Sequence, residues 1–206
     1  MSSKDDFLLV LKEEFAPRLR EIGFKGSGHN FKRINNDIIN IINIQVSKYG
    51  GSYAVNLGLH LSFLPVSWST ELPDVKKIKV PDCEFSMRLA PKNKYDYWWK
   101  YKGIFCNPSK NAHHLVETYF KYGENNFQEF KSIDDFITMF PIEKIKKDKY
   151  SNNFREKSVQ RGALTMARIY KHLGQIETAK KFAKVGLDNI GSAAILKPEF
   201  EKILSL

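Results

Sequence analysis

The stretch from Gly23 to Phe63, GFKGSGHNFKRINNDIINIINIQVSKYGGSYAVNLGLHLSF, constrains the fold more than any other part of this chain. A run rich in isoleucine ends at Gly50-Gly51, and a second run of alternating apolar residues begins directly after it. Glycine accepts the positive φ angles that a tight hairpin requires. With the two glycines as the loop, Tyr49 lies opposite Ser52, and Val46, Ile44 and Ile42 face Val55, Leu57 and Leu59 on one side. The other side pairs Ser47, Gln45, Asn43 and Ile41 with Ala54, Asn56, Gly58 and His60. Side chains alternate between faces along a strand, so the sheet gains one apolar and one mostly polar face. A one-residue slip would mix the two.

A preceding strand, His29 to Ile34, joins through Asn35, Asn36 and Asp37, residue types typical of turns. Pairing Asn35 with Ile38 sets Phe31 beside Ile42 and adds Asn30 and Lys32 to the polar side. Asn43, Gln45, Ser47, Asn56 and His60 form a candidate binding face, because grouped amides and a histidine can orient a ligand. The plainer reading is an antiparallel sheet showing this side to water. An enzyme built here would use His60 as base, with Asn43, Gln45 and Asn56 orienting the substrate. No nucleophile, carboxylate partner or metal set accompanies them.

Before the sheet, Phe7, Leu8, Leu11, Phe15, Leu19 and Ile22 recur at three- and four-residue steps, predicting an amphipathic helix that covers the apolar face. Pro17 predicts a kink or break within it. After the sheet, residues 64–82 contain Pro65, Pro73 and Pro81 and read as a long excursion. Cys83, Phe85, Met87 and Leu89 then alternate with polar residues, predicting a fourth strand, and a fifth falls around Tyr97 to Phe105. Within that stretch Lys94, Tyr97, Trp98, Trp99 and Lys100 form a candidate aromatic and basic patch. Such a patch can stack and neutralise single-stranded nucleic acid; the alternative is core aromatics with lysine stems lying over them.

A helix is predicted over 111–122, stopped by Gly123. His113 and His114 within it are adjacent, which points them about 100° apart and excludes a two-histidine metal face. Ser132 and Asp135 form a capping box for a short helix that ends before Pro141. The arrangement expected is α+β. An antiparallel sheet of four to five strands carries an N-terminal helix on one face (1–143), a basic linker follows (144–157), and a helical tail docked on the sheet part completes the chain (158–206).

Several short motifs recur in an order that resembles a known family. They are Gly23-Phe24-Lys25, Phe31 and Arg33, Asn43-x-Gln45-x-Ser47, Asn56-x-Gly58, Cys83, Arg88-Leu89 and Asp96-x-Trp98-Trp99. Together they resemble the bacterial family catalogued as domain of unknown function 4304, over about residues 7–140. In the family pattern a histidine and an aromatic follow the cysteine; Glu84-Phe85 keeps only the aromatic. The resemblance implies the fold and a bacterial source, and brings no activity with it. In the tail, Ala163, Ala167, Tyr170, Leu173, Gly174, Ile176, Ala179 and Ala183 are similar to the spacing of one tetratricopeptide hairpin. A single such repeat cannot bury its own apolar face.

The net charge of +10 invites an acidic partner. The surplus is spread evenly, with 16 basic and 11 acidic residues in 1–103 and 17 and 12 in 104–206, so no binding tail stands out. Two cysteines make no disulfide framework and suit a reducing compartment. The apolar run Phe7 to Leu11 is too short for a signal peptide, and nothing approaches the ~18 apolar residues of a membrane span. The expectation is a non-catalytic bacterial cytoplasmic protein that needs no cofactor and binds another protein, as an accessory or immunity-type module. The alternatives are a weak single-stranded nucleic-acid binder using 92–102, and an enzyme or small-ligand binder on the polar face. Oligomeric state is left open.

Overall fold

A computed structural model describes residues 3–66, 69–92, 94, 96–147, 154 and 158–206. At its centre is an antiparallel sheet of strands β1 (Lys25–Ser27), β2 (Asn30–Asn35), β3 (Ile38–Val46), β4 (Ser52–Leu61) and β5 (Phe85–Arg88), in that spatial order. A sixth strand, β6 (Trp99–Lys100), pairs with Ser52 and Tyr53 of β4, while β5 pairs with residues 56–59, so the two share one edge. Strand β1 was not foreseen; it is three exposed residues carrying no apolar alternation.

The central hairpin differs from expectation in register. Ile44 pairs with Val55, Ile42 with Leu57 and Asn43 with Asn56, two residues away from the pairing a two-residue loop would impose. Ser47 N donates to Ser52 O at 3.0 Å, which leaves a four-residue loop, Lys48 to Gly51. Gly50 and Gly51 both take positive φ (71° and 76°), as anticipated, but as the second half of that loop. A shift of two preserves side-chain parity, so both faces keep the residues expected of them. The β2–β3 pairing follows the expected register, with Asn35 opposite Ile38 and Phe31 opposite Ile42.

The N-terminal helix lies on the apolar face. It runs as α1 (Ser3–Val10), a wide π turn (Leu11–Phe15) and α2 (Ala16–Glu21). Pro17 lacks the N–H of a regular helical bond, and the widened turn just before it absorbs the misfit. Phe7 stacks on Tyr53 at 4.9 Å and Phe15 meets Phe31 edge-on. Helix α3 (Pro108–Thr118) continues through a second π turn (Tyr119–Gly123) into α4 (Glu124–Gln128). Gly123 is therefore not a stop. A Cβ there would come within 2.7 Å of the Tyr119 ring and 3.1 Å of Leu89, so close packing, not termination, requires the glycine.

Helix α5 (Ile133–Met139) starts at the predicted Ser132/Asp135 box, and Phe136 reaches Phe85 of the sheet. Residues 144–157, expected as a linker, begin inside helix α6 (Ile142–Lys146), whose Ile145 is buried. Residues 148–153 and 155–157 of that segment lie outside the described ones. The tail forms a helical hairpin, α7 (Val159–His172) and α8 (Ile176–Asp188), turning at Gly174 (φ 72°), and ends in α9 (Lys197–Leu204). One continuous apolar core runs from Phe7 through the sheet to Ala163, Phe182 and Phe200. Among the described residues no helix is long and apolar enough to cross a membrane.

Candidate functional site

The second face of the sheet is divided. Toward the β3–β4 loop, side-chain amides link neighbouring strands. Asn43 Nδ2 donates to Asn30 Oδ1 at 2.9 Å, and Asn56 Nδ2 donates to Gln45 Oε1 at 2.9 Å and to Asn43 Oδ1 at 3.3 Å. Arg88 closes the row. Its Nε donates to Asn56 Oδ1, one terminal nitrogen to Gln45 Oε1, and the other to Asp96 Oδ1. Its guanidinium also lies over the Trp98 ring, 4.9 Å from the centroid. Asn43, Gln45 and Asn56 thus come together as the alternation predicts, and their hydrogen bonds hold one another rather than converge on empty space.

His60 does not join them. It sits at the far end of the same face with no exposed surface, between Leu64 and the returning residues 78–84 of the excursion. Nδ1 accepts the Glu84 backbone N–H at 3.2 Å, so the proton lies on Nε2, which donates to Leu64 O at 3.0 Å. Burial lowers its pKa to about 4, opposed by the bond to Leu64. Ile39, Ile41, Ile78, Val80 and Cys83 make a small second core around this end. Gly58 lets the excursion approach, since a Cβ there would fall 2.8 Å from Cys83 Sγ. Lys32 clamps the excursion by donating to the carbonyls of Val75 (2.6 Å) and Lys76 (3.1 Å), and burial lowers its pKa. Arg161 of the tail fixes its end: Nη2 donates to both oxygens of buried Glu84, at 2.7 and 2.9 Å. A general base at His60 has neither access nor a free nitrogen.

The aromatic and basic stretch is likewise taken apart by strand alternation. Trp99 is 1% exposed, Tyr101 is buried, and Tyr97 packs edge-on against Trp99. Trp99 Nε1 donates to His114 Nδ1, while His113 contacts Glu14 and Ser109 instead, so the adjacent histidines do diverge. Among the described residues no three His, Cys, Asp or Glu side chains are grouped to hold a metal ion. Of the expected patch, Lys94 and Lys100 are exposed, Tyr97 and Trp98 are half-buried, and Trp99 alone is fully withdrawn. Tyr95 lies outside the described residues. Trp98 divides two open hollows. One, of about 470 Å³, is lined by Gln45, Ser47, Tyr49 and Ser52 among others; the second, of about 360 Å³, by Asp96, Lys100 and Asn111.

Beside these hollows lies a feature that sequence reasoning missed. Tyr101 and Lys102 donate their backbone N–H groups to Gly51 O, pinning this segment to the hairpin loop. A turn follows directly, closed by Cys106 N donating to Gly103 O at 3.1 Å. Its two middle residues, Ile104 and Phe105, are 95% and 101% exposed, and Tyr49 on the hairpin loop is 87% exposed. The base of the turn is fixed. Asn111 Nδ2 donates to Lys100 O at 2.7 Å, and Asn107 caps α3 by accepting Lys110 N–H. The available signal was an apolar pair bracketed by Gly103 and Asn107-Pro108, which marks a turn tip instead of a strand.

With this geometry in view, comparison with known families matches the chain to domain of unknown function DUF4304 over residues 15–129, more than half of its length. The chain belongs to this family. The matched region runs from the π turn before α2 to the end of α4, taking in the whole sheet, the excursion and the Ile104–Phe105 turn, and it leaves the tail outside. Neither a curated protein nor a solved structure gives a match.

Proposed function

We propose that this DUF4304 protein is a non-catalytic module of the bacterial cytoplasm that works by binding another protein, in an accessory or immunity-type role. The binding surface is the tip formed by the β3–β4 loop, Trp98 and the Ile104–Phe105 turn. The observation that carries this reading is the near-total exposure of Ile104 and Phe105 on a turn fixed at both ends. Fully burying a large apolar side chain is worth about 1.5–3 kcal/mol, and here that free energy is left for a partner to use. Tyr49 and half-buried Trp98 add the amphipathic aromatics enriched at such contacts. Lys48, Lys100 and Lys102 surround them and favour an acidic partner surface.

Nucleic-acid stacking is the weaker reading, because it needs a row of outward aromatics and alternation has sent Trp99 and Tyr101 inward. The experiment is affinity capture on the full-length protein from its own cytoplasm, beside an Ile104→Ser/Phe105→Ser variant, with protein and RNA both measured. A protein recovered by the wild type and lost by the variant supports the proposal. Recovery of RNA alone, or of the same protein by both baits, contradicts it.

A further inference from the structure

Strand β4 carries the chain ten residues, about 30 Å, away from the tip. At its far end Phe63, Pro65, Thr70 and Leu72 share with helices α7 and α9 a cleft of about 320 Å³. This volume is at the lower end of pockets that hold small molecules. We propose that the cleft binds a small molecule joining a phosphate monoester to a flat ring, a site independent of the protein-binding tip.

Charge selects the phosphate. Arg168, Lys171 and Lys202 line the cleft against a single carboxylate, Glu199, and that carboxylate is taken by Arg168 at 2.9 Å. Lys171 and Lys202 form no ion pair among the described residues. The local balance is therefore +2, and a phosphate monoester carries close to −2 at neutral pH. Ammonium groups on flexible stems can close on its oxygens.

The ring is selected by the wall. The imidazole of His172 lies flat on Phe63, with centroids 3.7 Å apart and planes 2° from parallel, which gives the cleft a planar surface on which a further ring can stack. Exposed Leu72, which also lines the cleft, offers apolar contact that the free protein leaves to water. A ligand here would touch both the excursion and the tail, so it would bind the assembled fold and raise its melting temperature.

The test uses full-length protein with three probes, adenosine 5′-monophosphate, uridine 5′-monophosphate and phenyl phosphate, measured by calorimetry and thermal melting. Adenosine and inorganic phosphate serve as the separated halves. At least one phosphorylated ring should bind, raise the melting temperature, and exceed both halves by tenfold or more. Comparing the nucleotides with phenyl phosphate separates a nucleotide site from a general aryl phosphate site. Lys171→Glu/Lys202→Glu changes two exposed side chains and should keep the melting temperature of the free protein while weakening binding at least tenfold. The proposal is overturned if no phosphorylated ring binds at millimolar concentration, or if the charge-reversed variant binds as the wild type does.

Discussion

At one end of the sheet's second face, Ile39, Ile41 and His60 are buried beneath the excursion; at the other, Asn43, Gln45 and Asn56 remain in contact with solvent. Both ends belong to the same strands, β3 and β4, with the same alternation. What separates them is a long connection that returns over one end only, fastened by Lys32 and by the Glu84–Arg161 pair. The lesson is that strand parity assigns a side chain to a face, whereas cover assigns it to core or surface. The closed end holds the fold together. The open end leads to the tip, where apolar side chains stand free.

This contrast can be broken first at Glu84. A buried charge left without its partner is strongly destabilising, so Glu84→Ala or Arg161→Ala should each cost about 3–5 kcal/mol in chemical denaturation. Replacing both with well-packed apolar residues should recover most of that loss. A cost under about 1 kcal/mol for either single change would mean that the closed end is not pinned.

His60 makes the closed end sensitive to pH. Its folded pKa, about 4, lies below the ordinary 6.5, so the unfolded chain binds the extra proton first. The stability this neutral histidine provides is complete above pH 6.5 and is lost as pH falls toward 4, by on the order of 3 kcal/mol. Protonation would also set an Nδ1–H against the Glu84 N–H it now accepts. Denaturation midpoints from pH 7 to 4 should fall less steeply in His60→Gln; equal slopes would place the sensitivity elsewhere.

Smaller effects should mark the open end. Asn56 is half-buried and joins Asn43, Gln45 and Arg88, so Asn56→Ala should cost about 1 kcal/mol. Gln45 is exposed, and Gln45→Ala should cost about 0.5 kcal/mol or less. The ratio matters most: equal large losses would show that the amide row is as structural as the covered end.

The sequence carries much of this and stops at identifiable points. Alternation around Gly50-Gly51 gives both faces correctly even though the pairing is displaced by two, because an even shift leaves parity unchanged. The N-terminal helix was legible from its spacing and the Pro17 irregularity from proline chemistry. Alternation groups His60 with the candidate binding face but does not say which end of that face is covered; the closure over His60 depends on Gly58 and Cys83, distant in sequence. Lysines flank Trp98 and Trp99 alike in the sequence, while a two-residue pairing with β4 buries Trp99 and leaves Trp98 half-exposed. Ile104 and Phe105 were missed for the opposite reason: an apolar pair reads as core, and only the turn geometry puts it outside.

The central claim, a structural closed end and a partner-binding open end, is tested most directly by Ile104→Ser/Phe105→Ser, with melting temperature and partner capture measured on the same preparation. Both side chains are already in water, so the account predicts a melting temperature unchanged within about 2 °C, with capture of the cognate protein lost. A clear fall in melting temperature, or undiminished capture, would contradict it.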